Sequence, residues 1–166
     1  LVEPYLPSVV LCGCLISELA TGEVREQKLG KLVGGDLQLA LAASETGSRF
    51  NSSKVATTAK SNGNNIVING RKIAVLNGSN ANELLVVARE SGGQVDADGI
   101  SVFLVNPDTS GVTVRPFTNI DGQKSSEIDF TDVTVSASAR LGEQGNAFMA
   151  IEKVIDKAII AVSAEA

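Results

Sequence analysis

The rhythm of apolar and polar positions changes twice along this chain, and each change marks a structural boundary. Up to residue 19 the chain is helical, opening on Pro4 and Pro7, where a first-turn proline costs no hydrogen bond. Val9, Val10, Leu11, Leu15, Ile16 and Leu19 cover most of that helix, which therefore needs neighbours on several sides. Thr21-Gly22 stops it, and a more polar helix over 23–33 ends at Gly34-Gly35, giving a helical hairpin. From Asp36 the period shortens to that of strands. Residues 37–43, 54–60, 64–68, 71–76, 83–89, 100–105, 112–117 and 127–135 read as strands separated by turn sequences. Asn62-Gly63, Asn69-Gly70 and Asn77-Gly78 are hairpin signals, because a type I′ turn needs positive φ twice. A turn at Asn69-Gly70 would set Ile66 opposite Ile73. The uninterrupted apolar run 83–89 is expected at the centre of the sheet, and 91–98 as a polar loop. Over 127–135, strict alternation puts Ile128, Phe130 and Asp132 on one face and Asp129, Thr131 and Val133 on the other. After Leu141-Gly-Glu-Gln-Gly145 the helical period returns, with Phe148, Ile151, Ile155, Ile159 and Val162 in one stripe widened by Val154 and Ile160.

The pattern gives an α+β, mainly β fold. It is an antiparallel β-barrel of about seven strands, flanked by an N-terminal helical hairpin and a C-terminal helix. Residues 1–35 read as the end of a helical domain, 36–140 as the barrel domain and 141–166 as the first helix of a further helical domain. Both ends fall inside helical sequence, so the chain is expected to be a fragment of a longer polypeptide.

Composition narrows the chemistry. The 166 residues contain no His, which removes Ser-His-Asp and Cys-His catalysis and the common His-based metal sites. Acid–base work falls to Asp, Glu, Lys or Tyr5. A net charge of −5 offers no basic patch for nucleic acid. No apolar run is long enough to span a bilayer, and no secretory signal is visible, so a cytoplasmic location is expected. Cys12 and Cys14 point to opposite sides of a helix and read as buried thiols, not as a bridge or a metal pair.

The stretch with most chemical content is 37–51. An apolar strand ends abruptly in Ser44-Glu45-Thr46-Gly47-Ser48, which concentrates hydroxyls and backbone N–H groups at a strand end. Such a loop can hold an anion or the polar edge of a heterocycle, although many Ser/Gly turns are only turns.

These residues, in this order, resemble the acyl-CoA dehydrogenases over essentially the whole chain. Leu39-Ala-Leu-Ala-Ala-Ser-Glu-Thr-Gly47-Ser48 resembles that family's apolar strand followed by Thr-Glu-Pro-Gly-x-Gly-Ser. Ile68-Asn-Gly-Arg-Lys-Ile-Ala-Val-Leu-Asn-Gly78 is similar to its Asn-Gly-x-Lys segment and following Asn-Gly. Gly99 to Val105, Gly111 to Val114, Phe130 to Val135 and Leu141 to Gly145 match later strands and the exit turn. The wording at 45–50 and 154–159 is most similar to bacterial small subunits of the pimeloyl-CoA dehydrogenase type.

The resemblance implies a middle β-barrel domain and α,β-dehydrogenation of an acyl-CoA, with hydride passing to FAD and electrons on to an electron-transfer flavoprotein. It also implies a homo- or hetero-oligomer. It places Leu41 and Ala42 at the strand end that meets the flavin's polar edge, Gly47 and Ser48 near the pyrophosphate and the substrate, and Ala74 and Leu76 beside the ring. Ser48 would donate its hydroxyl to a phosphate or carbonyl oxygen. Ala42, Ala74 and Leu76 stand where members often carry Thr, Trp and Thr, and Arg49 where Asp is frequent, so flavin contacts are expected to be thinner here. No catalytic base is assigned. Asp156 falls about where a minority of members place one, and equally reads as a solvated helix residue paired with Lys153. Glu45 reads as a loop carboxylate. Two other readings stay open: a non-catalytic β-barrel subunit that supports a catalytic homologue without flavin, and an unrelated small ligand-binding barrel.

Overall fold

The computed structural model describes residues 4–166. Part of the first expected helix, residues 1–3, lies outside the described residues. From Tyr5–Gly13 the chain winds as a π-helix and continues as α1 (Cys14–Leu19); α2 (Gly22–Gly34) follows, closed by Gly35 at φ 82°. Eight strands come next: β1 (Leu39–Ala42), β2 (Thr58–Asn62), β3 (Asn65–Leu76), β4 (Glu83–Arg89), β5 (Ile100–Val105), β6 (Val112–Thr118), β7 (Lys124–Ser136) and β8 (Arg140–Leu141). α3 (Phe148–Glu165) ends the chain.

The strands form one sheet in the order β6-β7-β3-β2-β4-β5-β8, with β1 paired to β4 beside β2. This corrects the expectation of a wholly antiparallel barrel of about seven strands. There are eight strands, β1 and β2 both run parallel to β4, and no ladder joins the β6 and β8 edges among the described residues. The parallel pairings follow from connectivity. The first residues after β1 form a loop and an irregular segment before β2, so β1 and β2 reach β4 from the same side and in the same direction.

Period two sorts the sheet's apolar residues into two cores. Leu39, Leu85, Val87, Ile100 and Val102 face the helices and bury Cys12, Leu15, Ile16, Ile151 and Val154. Ala40, Ala42, Leu84, Val86 and Phe103 face the other way, with Ile66, Ile68, Ile128 and Phe130. β4 touches both cores, so a continuous apolar run is what a central strand requires. The π-helical segment is docked on β1 by Ser8, whose hydroxyl donates to the Leu39 carbonyl at 2.8 Å and accepts from its N–H at 3.1 Å.

Two expectations on the β3–β7 ladder are overturned. Asn69-Gly70 is not a turn: β3 runs straight through it, and Ile66 faces Ser61 and Val135, not Ile73. The Asn69 side chain bonds Asp132 twice, and Gly70 lies where a Cβ would come 2.4 Å from Thr57 Oγ1. Here glycine serves close approach of two backbones instead of reversal. Val133 lies in the same core as Ile128 and Phe130, not opposite them. The ladder steps from Ile68↔Val133 to Gly70↔Phe130, one residue extra on β7, and Asp132 absorbs it at φ 50°. A second bulge lies between Lys72 and Val75, where β3 carries the extra residue and Ala74 sits at φ 51°.

The loop after β4 is held by Arg89, which is 6% exposed. Its guanidinium donates to the carbonyls of Ser53, Val55, Ser91, Gln94, Asp96 and Asp98 at 2.8–3.3 Å. Arg89→Met removes all of these donors, including the partner of the carbonyl of buried Val55. The substitution is expected to lower unfolding free energy by about 3 kcal/mol and to open the 91–98 loop to proteolysis. Urea titration and limited proteolysis check this; an unchanged midpoint contradicts it.

Candidate functional site

The strand end at β1 is built around a buried ion pair. β1 leaves the sheet at Ala42, and the chain turns through Glu45–Ser48, with the Ser48 N–H on the Glu45 carbonyl at 3.1 Å. Glu45 is 6% exposed and Lys72 is fully buried, and Lys72 Nζ lies 2.6 Å from Glu45 Oε1. Nζ also donates to the Ala43 carbonyl at 3.2 Å. Glu45 accepts the N–H of Ala56 at 2.7 Å and of Thr57 at 3.0 Å. These two bonds explain why the expected strand over 54–60 starts only at Thr58: a carboxylate, not a neighbouring strand, takes the N–H groups before it.

Burial pushes the Glu45 carboxyl up, but attraction to Lys72 and hydrogen bonds from Lys72, Thr57 and Ala56 outweigh it and leave the group below the ordinary carboxylate value. Burial lowers Lys72 to about 8, with Glu45 opposing the shift. Glu45 is therefore not the solvated loop carboxylate that its sequence context suggests. The context offered one usable signal, the motif-like Glu in a Ser/Gly loop, but not its partner 27 residues on.

The same pair sets two candidate segments side by side. The Ile73 N–H donates to the Ser44 carbonyl at 2.9 Å, and Asn77 Nδ2 to Gln38 Oε1 at 3.3 Å. The second half of β3 thus runs antiparallel along the β1 strand, which aligns Ala74 and Leu76 with residues 40–43. Ala74 is exposed; Leu41 and Leu76 are half-buried. Ala42 has no exposed surface, and its side chain belongs to the second core, so a ligand can reach this position only through its backbone. The hydroxyl at this strand end belongs to exposed Ser44, which sequence reasoning passed over. It was recoverable, since Ser44-Glu45-Thr46-Gly47 falls on the Thr-Glu-Pro-Gly of the resemblance.

Gly47 is exposed at φ 80°, and its carbonyl accepts from Lys54 Nζ at 3.0 Å. Ser48 is 8% exposed, and its hydroxyl donates to the Glu45 carbonyl at 2.8 Å and accepts from the Glu45 N–H at 3.2 Å. A bond from Ser48 to a ligand would replace that loop bond. Ser48 lines a cavity of about 340 Å³ with Ala43, Ser44, Arg49, Ile151 and Ile155, between the loop and α3. Leu76 borders a separate hollow of about 300 Å³ with Gln38 and Asn77. Asp156 is exposed on α3 and lines neither. Its expected partner is taken: Lys153 Nζ bonds Glu18 at 2.8 Å, and Lys157 joins it at 3.2 Å.

The donor set suits a dinucleotide better than a metal. The Thr46, Gly47 and Arg49 N–H groups have no protein acceptor among the described residues, and Arg49 and Lys54 add positive charge. No group of His, Cys, Asp and Glu able to hold a metal occurs among the described residues. Leu41 packs partly against the helix-side core, Ala74 is exposed and Leu76 faces the separate hollow, so the apolar surface of β1 and β3 is distributed along the two paired segments.

Residues 40–133 match the acyl-CoA dehydrogenase middle domain, and the chain belongs to the acyl-CoA dehydrogenase family. That membership removes the reading as an unrelated barrel. The chain is 33% identical over 147 residues to cyclohexane-1-carbonyl-CoA dehydrogenase of Geobacter metallireducens, covering 87% of this chain and 38% of that protein. It is 29% identical over 162 residues to the short-chain specific acyl-CoA dehydrogenase of Clostridium acetobutylicum, covering 94% and 42%. The structure of butyryl-CoA dehydrogenase from Megasphaera elsdenii superposes with a TM-score of 0.88 at 29% identity, over 96% of this chain and 42% of that one. The chain thus spans about two fifths of the length of such relatives. No helix among the described residues is long and apolar enough to cross a membrane.

The lowered Glu45 carboxyl gives a pH prediction. A carboxyl lowered by folding adds stability above its ordinary value of 4.5 and loses it as pH falls through the lowered one. Glu45→Gln is expected to cost about 3–5 kcal/mol at pH 7, because it strands a buried ammonium. The gap between parent and variant should narrow as pH drops below 4.5. Urea midpoints from pH 7 to 3 test this; a gap that stays constant with pH contradicts it.

Proposed function

We propose that this chain is the middle part of an FAD-dependent acyl-CoA dehydrogenase that removes hydrogen from the α and β carbons of an acyl-CoA thioester. Residues 36–140 form the middle domain, with 1–35 and 141–166 belonging to helical domains on either side. The observation that carries this reading is the alignment of the 41–48 strand end with the bulged segment 74–76, in a chain whose family is established.

In this reading Leu41 and Ala42 offer backbone groups to the polar edge of the ring, which asks nothing of their side chains. Ala74 and Leu76 supply an apolar wall. Gly47 and the free N–H groups around it meet the pyrophosphate, with Arg49 and Lys54 near enough to balance its charge. Ser44 and Ser48 line the cavity beside α3, Ser48 releasing its bond to the Glu45 carbonyl to reach a ligand, and Val87, Ile151 and Ile155 give the acyl group an apolar floor. When bound, FAD supplies the acceptor for the hydride from the β carbon. The residues of this chain bind, orient and exclude water. No catalytic base is assigned to them, and Asp156, off the cavity, is not given that role. The electron acceptor is an electron-transfer flavoprotein, the working form is an oligomer, and the reaction is cytoplasmic.

A second reading has a specific observation behind it. Ala74 and Leu76 carry neither a hydroxyl nor an aromatic ring at positions that could use one, which suits a non-catalytic subunit supporting a flavin-bearing homologue. A visible spectrum of the full-length protein separates the two. Bands near ~450 nm that survive desalting are expected for the first reading. A colourless protein that takes up no added FAD overturns it in favour of the second.

A further inference from the structure

We infer that Glu45 and Lys72 are positioning residues for the flavin site, their buried ion pair holding the 41–48 strand end and the Ala74 bulge at the spacing a ring requires. The inference rests on the FAD-binding reading above and adds two residues that touch none of the proposed ligand atoms.

Three observations support it. The pair is the junction of every segment proposed to bind. Lys72 Nζ reaches the Ala43 carbonyl and the Glu45 carboxylate, while that carboxylate takes the N–H groups of Ala56 and Thr57. Next, the bulge that displays Ala74 begins immediately after Lys72, and the Ile73 N–H bonds Ser44 in the same loop. Ala74 holds positive φ at an exposed position, a strained conformation that its surroundings must impose. Ion pairing at Lys72 and the ladder to β7 at Val75 supply that constraint from either side. Finally, Gly70 has no side chain where Thr57 approaches, so Thr57 comes close enough to β3 to complete the carboxylate's bonds. A buried ion pair adds little net stability over apolar residues of like volume, but it defines one arrangement, since either charge alone is strongly disfavoured.

The test compares FAD binding and folding separately in the full-length protein. Lys72→Met breaks the pair, while Lys72→Arg and Glu45→Asp keep both charges and alter the spacing. Arg140→Met is a control that breaks another largely buried ion pair, with Glu90, on a strand carrying none of the proposed contacts. FAD affinity is measured by titration at a urea-free condition where circular dichroism shows each variant folded, and the shape of the ~450 nm band is recorded. Lys72→Met is expected to bind FAD ten- to a hundred-fold more weakly with a displaced band. Lys72→Arg and Glu45→Asp should shift the band with a smaller loss, and Arg140→Met should leave affinity and band unchanged. If Lys72→Met does not fold, the two charge-conserving variants decide. Unaltered affinity and spectrum in the folded pair variants, or an equal loss in Arg140→Met, overturns the inference alone. Failure of the parent protein to bind FAD overturns the functional reading and this inference with it.

Discussion

One buried contact organises this sheet: Lys72 Nζ on Glu45 Oε1, with neither side chain open to water. Two isolated charges could not be buried there, so the arrangement exists only when both arrive together. Their arrival fixes where β1 stops, where β2 starts and where β3 bulges. A strand end that would otherwise fray is tied to two segments distant in sequence, 56–57 and the start of the β3 bulge. The net charge of the chain, its acidic balance and its lack of histidine have no bearing on this; one lysine and one glutamate at the right register do.

The two cores divide the remaining work. On one side of β4, Leu85 and Val87 bury the helices; on the other, Leu84 and Val86 meet Phe103, Ile68 and Phe130. Because β1 borders β4 in parallel with Leu39 at Glu83 and Ala42 at Val86, its small residues let both layers close around it. The small side chain of Ala42 leaves no gap on the core face, and the strand meets a ligand through its backbone at its end. Sheet centre and site edge are thus the same four residues viewed along different directions.

Much of this was legible in the sequence. The run 83–89 gives β4 without error of boundary, and 100–105 gives β5, because an uninterrupted apolar stretch between turn signals has few alternatives. The Ser/Gly loop and the family resemblance located the candidate site. What failed did so for identifiable reasons. Asn69-Gly70 carries the chemistry of a hairpin, but its Asn is engaged by Asp132 and its Gly by Thr57, partners 63 and 13 residues away that no local rule sees (the first separation is that of the bond itself, the second the difference of the two residue numbers). Val133 was assigned to the wrong face because period two assumes an unbroken ladder, and a bulge resets the phase. Glu45 read as solvated because a carboxylate in a polar loop usually is, and only the register of β3 brings Lys72 beneath it.

α3 shows the same separation of roles on a single helix. Ile151 and Val154 are buried against the sheet, Ile151 and Ile155 floor the cavity beside Ser48, and Lys153 and Lys157 clamp Glu18 at the end of α1. The clamp holds the Glu18 carboxyl below the ordinary range, chiefly through the Lys153 hydrogen bond, although the group is solvent-exposed and the contact is weak by itself. α3 is seated by the burial of Ile151 and Val154, which leaves Asp156 on the exposed side. Asp156 on that exposed face lines no part of this cavity. The helix contributes shape and dryness to the cavity, and the Glu45–Lys72 junction contributes the spacing across it.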